Sequence, residues 1–510
     1  DDLYFSGAAG QAGRLVINKG HGEYQLSDAF PFALFATCEE MGALFVDVDG
    51  DDDLDLYVVS GGVEYEVGSD EYSDHLYLND GVGRFTVAPT GVLPDVRDSG
   101  GTVNAADFDQ DGDLDLFVGG RVVPGQYPVS PQSRLLRNDG ARFTDITASD
   151  VPALSQPGLV TAALWTDVDA DGWIDLLVTT EWGPIRLYKN NAGKLSDATQ
   201  QTGVQDRTGW WNGITGRDLD NDGDIDYVVT NVGLNTKYHA TAEKPVLLYY
   251  GDLDGSGTKN LIEAEFENNS LFPVRGRSCS SNAMPTLREK FPSFRSFALA
   301  ELTQIYDGQR LEHAQRFAAT TLESGILRND GHGSLTFEPL PRIAQGAPAY
   351  GVLVTELNGD EYCDIVLAQN FYTPQVETGR MDGGVGLVLL GTASGEFVPQ
   401  LPARSGLVVP EDAKSAVVTD LNADGLPDVL MGTNDDAAQA FMNHAAARDR
   451  FVAIRAEGTR GNPTGVGTRI TIGLEDGTQQ TAEVYAGSGY LSQSSPAIWF
   501  GTRGLKVERR

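Results

Sequence analysis

The sequence predicts an all-β protein, a β-propeller of seven blades with six as the alternative, interrupted by a helical insertion. Three observations predict it: an acidic nine-residue frame that recurs along the chain, short apolar runs on both sides of each copy, and Asn/Asp-Gly turns that trail several of them. Four antiparallel strands repeated radially make a propeller blade.

The clearest copy of the frame is DFDQDGDLD, Asp107 to Asp115. Aspartates at alternate positions, a glycine at the sixth and an aspartate at the ninth resemble the first part of an EF-hand loop, in which oxygen ligands converge on a hard cation. One copy alone is read equally well as a solvated acidic turn. The frame returns, however, as DVDGDDDLD, DVDADGWID, DLDNDGDID, ELNGDEYCD and DLNADGLPD, and more weakly as DLDGSGTKN. Uncompensated carboxylates packed this closely repel one another, so repetition of the arrangement points to a cation.

Comparing copies assigns the ligands. Position one is Asp47, Asp107, Asp167, Asp218, Asp252, Glu356 or Asp420, and position three is Asp49, Asp109, Asp169, Asp220, Asp254, Asn358 or Asn422. Position five is Asp51, Asp111, Asp171, Asp222, Ser256, Asp360 or Asp424, and position nine is Asp55, Asp115, Asp175, Asp226, Asn260, Asp364 or Asp428. All carry side-chain oxygen. Position seven is Asp53, Asp113, Trp173, Asp224, Thr258, Tyr362 or Leu426. A residue that can be Trp or Leu offers its backbone carbonyl, as at the seventh EF-hand position. The expected cofactor is Ca²⁺, several ions, one for each acidic loop. Ser256 and Asn260 leave the loop at Asp252 in question.

The loop starts lie 60, 60, 51, 34, 104 and 64 residues apart, a unit larger than a solenoid coil. The second unit reads TVNAADF, acidic loop, LDLFVGG, a linker, SRLLRN, a DG turn and RFTDIT, which is four strands with two tight connections and one long one. Its hairpin has relatives in LYLNDGVGRF, RLYKNNAGKL and ILRNDGHGSL. The 34-residue spacing is too short for a whole blade, so VLLYYGDLDGSG is expected as an outer hairpin of the fourth. LYFSG and RLVINKGHGEYQL, ahead of the first loop, are expected to complete the last blade and close the ring.

Within the 104-residue gap an insertion is expected at about 268–315. Phe294, Phe297, Ala298, Leu302 and Ile305 follow helical spacing there, with Ser293 as N-cap and Gly308 as stop.

Composition narrows the function. With 73 acidic against 37 basic residues the formal net charge is -36, which argues against nucleic acid and anionic membrane surfaces as partners. No apolar run is long enough to span a membrane. The chain opens at Asp1 without Met, so a processed or partial chain is expected, and a protein filled by weak Ca²⁺ sites belongs outside the cytosol, in the periplasm, at the cell surface or secreted. Cys38, Cys279 and Cys363 form an odd set in which a Cys38–Cys279 bridge is one option. The six histidines show no zinc spacing, and nucleophile-elbow, P-loop and dinucleotide motifs are absent.

Alternating strand direction puts the acidic loops on one face and the long linkers on the other. The linkers are aromatic and polar, the make-up of a binding surface. Arg121, Tyr127, Trp182, Asn235, Tyr372, Glu377, Arg380 and Asp382 are the partner-binding candidates, weighed against a role in plugging the channel. Two functions are expected from these residues. One is a non-catalytic, Ca²⁺-stabilised scaffold that binds a protein or glycan partner, as in a subunit of an envelope complex. The other is an extracellular lyase or hydrolase of carbohydrate with its site at the channel mouth.

The loops with their trailing ND-G-x-G-x-F hairpins resemble FG-GAP/VCBS repeats, Ca²⁺-binding propeller blades, to about residue 443. The tail NPTGVGTRITIGLEDG with GSGYLSQSSPAIWFG resembles the ASPIC/UnbV segment that follows such repeats in the cartilage acidic protein family and its bacterial relatives. The resemblance implies a propeller over 1–443 and a small C-terminal β domain over 444–510. In that family the tail usually runs on through one more strand, so an incomplete last domain is expected.

Overall fold

The acidic loops and the strands they join set the architecture of the computed structural model, which describes residues 1–27, 31–140, 142–445 and 447–508. Each loop leaves an apolar strand and enters a second that begins at the ninth loop position, as Gly100–Ala106 passes into Asp115–Gly120. Second strands such as Asp55–Gly61 and Asp364–Gln369 are buried at every residue because sheets pack on both of their faces. Third and fourth strands follow as a hairpin, Arg134–Asn138 with Phe143–Asp145 in this sheet.

Five sheets share this order of four strands, the third of them with a short fifth strand, Gly209–Trp210, on its second, and their inner strands are Glu39–Val46, Gly100–Ala106, Leu159–Thr166, Ile214–Arg217 and Ala349–Thr355. A sixth, from Ala413–Thr419 to Gln439–Phe441, has three strands among the described residues. The six inner strands pack against one another in chain order. Apolar clusters fill the spaces between neighbouring sheets, with Leu177, Trp211, Tyr227 and Leu327 in one of them. The molecule is an all-β, propeller-like ring.

The N-terminus departs from expectation. Leu3–Phe5, Arg14–Asn18 and Tyr24–Leu26 pair among themselves as a three-stranded sheet and do not complete the sheet of Ala413–Thr419. They stand between the last sheet and the sheet of Glu39–Val46: Tyr24 donates to the Leu421 carbonyl, 3.3 Å, and Leu15, Phe32, Leu56 and Tyr77 share one cluster.

The insertion is also larger than its helices. Val246–Gly251, Asn260–Glu267, Ser270–Pro273 and Gln315–Ala319 form a separate four-stranded sheet between the second and third strands of the fourth of these sheets, so the loop at Asp252 is not an outer hairpin of the ring. Against this sheet lie short helices. The stretch expected as one helix is two, Phe294–Ala298 and Leu302–Ile305. Ser293 caps the first as expected, while Gly308 opens a further helix, Gly308–His313, capped by Asp307. Phe297, Leu302 and Ile305 are buried, and Phe294 points outward.

The C-terminal strands cover the ring on its loop face. Trp499 donates to the Gly425 carbonyl, 3.2 Å, Arg503 pairs with Glu361, 2.8 Å, and Arg460 donates to the Gly50 carbonyl. From this cover a segment enters the channel, where Ala486 accepts from the Ala105 N–H and Gly489 exchanges two backbone bonds with Ile214. Its tip reaches the linker end: the Tyr490 ring lies 5.1 Å from that of Tyr350. The C-terminal segment, more than the linkers, fills the channel. Cys38, Cys279 and Cys363 are all free, with Cys38 buried 3.4 Å from His75 Nε2.

One device ties sheet to sheet. A third-strand asparagine donates its side-chain amide to the carbonyl at the second position of the preceding acidic loop: Asn138 to Val48, 3.0 Å, Asn190 to Phe108, 2.7 Å, Asn329 to Val168, 2.8 Å, and Asn443 to Leu357, 2.9 Å. Replacing Asn190 by Ala removes these donors and strands the buried carbonyl of Phe108 and the half-buried one of Ile174. The expected cost is about 1–3 kcal/mol, read as a lowered denaturation midpoint. An unchanged midpoint would show that the amide does not couple the sheets.

Candidate metal centre

The acidic loops are wound by recurring backbone-to-side-chain bonds, and these bonds explain why the residue types recur. The N–H at position seven donates to the position-five oxygen in all seven copies, for example Asp113 to Asp111, 3.0 Å, Trp173 to Asp171, 2.9 Å, and Leu426 to Asp424, 3.0 Å. The side chain at seven is therefore free to vary. In five of the copies the N–H at position six donates to the position-one carboxylate, as Gly112 to Asp107, 3.1 Å, and Gly425 to Asp420, 2.8 Å. Such winding needs left-handed backbone at positions four and six, Gln110 (φ 60) and Gly112 (φ 101) in one loop and Gly50 (φ 71) and Asp52 (φ 74) in another. Glycine at one of the two relieves the strain.

Position nine is the anchor. Asp115 is fully buried, and its two oxygens accept the N–H of Phe108 at position two, 3.4 Å, and of Asn138 on the third strand, 2.8 Å. Asp55 does the same with Val48, 3.0 Å, and Asn79, 2.8 Å, and Asp175 with Val168, 3.2 Å, and Asn190, 2.6 Å. This residue clamps loop and strands whether or not it also touches a cation.

Carboxylate oxygens converge within 4.8 Å in the sets Asp47, Asp49, Asp55; Asp107, Asp109, Asp115; Asp167, Asp169, Asp175; and Asp218, Asp220, Asp222. The loops at Glu356 and Asp420 carry Asn358 and Asn422 at position three, which offer amide oxygens instead. In five loops a position-three oxygen is buried and without a hydrogen-bond partner: Asp49 Oδ1, Asp109 Oδ1, Asp169 Oδ1, Asn358 Oδ1 and Asn422 Oδ1. Buried polar atoms are ordinarily paired. Five orphans at one loop position, each beside other oxygens, fit a cation.

The charge balance agrees. Burial first, and loop neighbours after it, push Asp55 up to about 7, Asp115 to about 8 and Asp175 to about 7. Burial and the charges of Asp222 and Asp220 push Asp218 to about 7. Basic side chains relieve some loops: Lys189 pairs with Asp169 and lies 3.2 Å from Asp171, and Arg328 lies 2.6 Å from Asp226. The loop at Asp252 differs. Arg310 approaches Asp252, 3.4 Å, and Asn260 turns its amide to the Thr258 carbonyl, 3.2 Å.

The linker-face candidates divide into groups. Glu181, which sequence reasoning left out of the candidates, accepts from Arg121, 2.6 Å, and Tyr127, 2.6 Å, and Trp182 donates to Tyr127, 2.5 Å. The Arg380 guanidinium lies 3.6 Å over the Tyr372 ring, and Asn235 donates to the Gly346 carbonyl, 2.9 Å. Glu377, Arg380 and Asp382 are exposed.

Family models match residues 61–118 and 167–229 as FG-GAP-like repeat and residues 458–507 as ASPIC and UnbV. The chain carries FG-GAP-like repeats and an ASPIC/UnbV domain. That domain is the one that covers the repeat loops and enters the channel. A comparison with curated protein sequences gives no match. Solved structures similar to this chain include an exotype rhamnogalacturonan lyase, YesX, with 13% identity, 96% of this chain and 81% of that one covered and a TM-score of 0.33. A rhamnogalacturonan lyase of Bacillus licheniformis, PL11, has 12% identity, coverage of 84% and 79% and a TM-score of 0.29. BBS1N in complex with ARL6DN has 10% identity, coverage of 79% and 92% and a TM-score of 0.29. Likeness at this level carries no argument, and the fold rests on strand order.

The raised carboxylates give a pH dependence. Unfolded aspartate titrates at about 4, and the folded groups hold their protons to about 7–8. Below the unfolded value both states are protonated and nothing is lost; as pH rises toward the folded values the unfolded chain releases protons first, and folding weakens. In chelator the melting temperature is expected to fall from pH 5 to pH 8, and saturating Ca²⁺ to abolish that fall. A chelated protein equally stable at both pH values would contradict the burial of these groups.

Proposed function

We propose that this protein is a Ca²⁺-stabilised extracytoplasmic scaffold that binds a protein or glycan partner through its linker face and catalyses no reaction itself. The observation that carries the metal is the row of orphaned, buried oxygens at the third loop position. Ca²⁺ suits them better than Mg²⁺: it accepts six to eight oxygens in flexible geometry, whereas Mg²⁺ demands a near-ideal octahedron. Bound there, Ca²⁺ supplies positive charge where the loops concentrate negative charge; the chain's own residues wind the loop and clamp the strands. Sites of the weaker kind fill at the Ca²⁺ levels found outside the cytosol, which supports the location. Among the described residues no helix is long and apolar enough to cross a membrane.

On the linker face half-buried charges are already paired: Arg121 holds Glu181, and Glu181 holds Tyr127. That suits a rigid platform more than turnover. Around it Glu377, Arg380 and Asp382 are exposed, as is Val376, which suits contact with a partner.

Chelation is expected to lower the melting temperature by several degrees or more, Ca²⁺ to restore it and Mg²⁺ to do so poorly; identical melting curves with and without Ca²⁺ would sink the metal. Native mass spectrometry should count an ion for each acidic loop except that at Asp252. For the scaffold, the paired substitutions Arg380→Ala and Asp382→Ala should weaken partner capture while leaving the melting temperature unchanged. Loss of turnover of a carbohydrate by that variant would replace the scaffold with an enzyme.

A further inference from the structure

The linker face carries charge of both signs, well separated. Two connections hold the same place in their sheets: residues 62–74 join Asp55–Gly61 to His75–Leu78, and the insertion joins Asp226–Val229 to Gly325–Asn329. Both therefore rise from the linker face, three sheets apart round the ring. Arg275 ties the insertion to a third linker, donating to Gln375 and to Thr378, 3.0 Å.

The insertion is basic in an acidic chain. The whole sequence has 73 acids against 37 bases, yet residues 275–298 hold Arg275, Arg277, Arg288, Lys290 and Arg295 against one acid, Glu289. Arg288, Lys290 and Arg295 are exposed, and the neighbouring Phe294 and Leu299 are 65% and 71% exposed. Local bonds fix these side chains in place. Ser293 caps the helix Phe294–Ala298 through reciprocal bonds with Ser296, the Phe291 and Phe297 rings pack edge to face at 5.7 Å, and the Arg277 guanidinium lies 5.4 Å over the Phe294 ring.

The linker at 63–72 is the counterpart. It holds Glu64, Glu66, Asp70 and Glu71 and no base. Val63 and Val67, 58% and 56% exposed, alternate with the exposed Glu64 and Glu66. Arg97 takes up Asp70, 2.6 Å, and among the described residues Glu64 and Glu66 have no basic partner. This loop is held firmly as well: Tyr72 donates to the Tyr65 carbonyl, 2.8 Å, and Tyr65 to that of Thr37, 2.8 Å.

We propose that the linker face is the two-fold interface of a dimer, in which the insertion of one copy docks on the 63–72 linker of the other and the reverse contact forms at the same time. This rests on the reading of that face as a docking surface and names its occupant. A partner of one charge sign would meet one patch and be repelled by the other. A second copy turned about a two-fold axis sets basic on acidic twice, as a self-complementary interface requires. Phe294 and Leu299 are the apolar anchors opposite Val63 and Val67, while Arg288 and Arg295 face Glu64 and Glu66. A stable interface buries about 1,600 Å² in total, and repetition halves what each contact has to supply. Because both patches are fixed beforehand, little side-chain freedom is lost on docking.

The test exchanges charge between the patches and reads mass in solution by sedimentation, in saturating Ca²⁺. The unsubstituted chain is expected as a dimer that dissociates with added salt. Arg288→Glu with Arg295→Glu sets acid against acid at both contacts, and Glu64→Lys with Glu66→Lys sets base against base. Each pair should weaken the dimer about a hundredfold while melting like the unsubstituted chain. Mixed in equal amounts, the two variants should form a mixed dimer, since the reversed insertion of one then meets the reversed linker of the other. An unsubstituted chain that stays monomeric, a dimer unmoved by either pair, or a mixture without dimers would overturn the proposal. A monomer that still captures another partner, with capture lost on substitution of Arg380 and Asp382, would leave the scaffold standing with a different occupant. Failure of the scaffold shows instead as turnover, which sedimentation does not read.

Discussion

The ninth-position aspartate is the constraint on which the rest of the ring depends. Asp115 joins three segments at once: its oxygens hold the loop at Phe108 and the third strand at Asn138, and its own backbone begins the second strand. To do so it must be buried, and a buried carboxylate beside two or three others is costly when ionised. The fold therefore concentrates negative charge where it needs hydrogen-bond acceptors. Basic side chains such as Lys189, Arg328 and Arg448 relieve some loops directly, and a divalent cation would add to that relief.

From this clamp the cooperativity of the ring follows. The asparagine that donates its N–H to the aspartate of its own sheet donates its side-chain amide to the loop of the sheet before. A change in one loop is thereby felt in the next. The ASPIC/UnbV domain adds a second tie across the same face, since Arg460, Trp499 and Arg503 bond to the loops at Asp47, Asp420 and Glu356. Its channel segment then meets the inner strands at Ala105, Ile214 and Val418. Stability and closure of the channel are properties of one connected surface.

Much of this was legible along the chain because the loop is local. Spacing of Asp, Asn and Gly within nine residues is enough to wind it, and the variable seventh residue marks a backbone contribution. The single helix expected over Ser293 to Gly308 failed on a local detail: Ala298 ends one turn, Glu301 caps the next, and each short helix packs separately on the inserted sheet. The N-terminal strands were misplaced for a different reason. Their hairpin pattern fits the outer half of any sheet, and only the pairing of Leu3–Phe5 with Arg14–Asn18 shows that they form a sheet of their own. Glu181 was passed over as one linker acid among many, and its importance lies in the two partners it holds, which come from a linker some 60 residues away.

The sequence by itself determined the repeat, the all-β class and the oxygen-rich loops, because each depends on residues within one strand–loop–strand unit. Tertiary structure alone decided which unit neighbours which, that the insertion has its own sheet, that the C-terminal segment fills the channel, and that Cys38 and Cys279 stay apart. Those outcomes rest on bonds between residues far apart in the chain, such as Gly489 with Ile214 and Asn443 with Leu357. Periodicity carries no record of such pairs; closing the ring creates them.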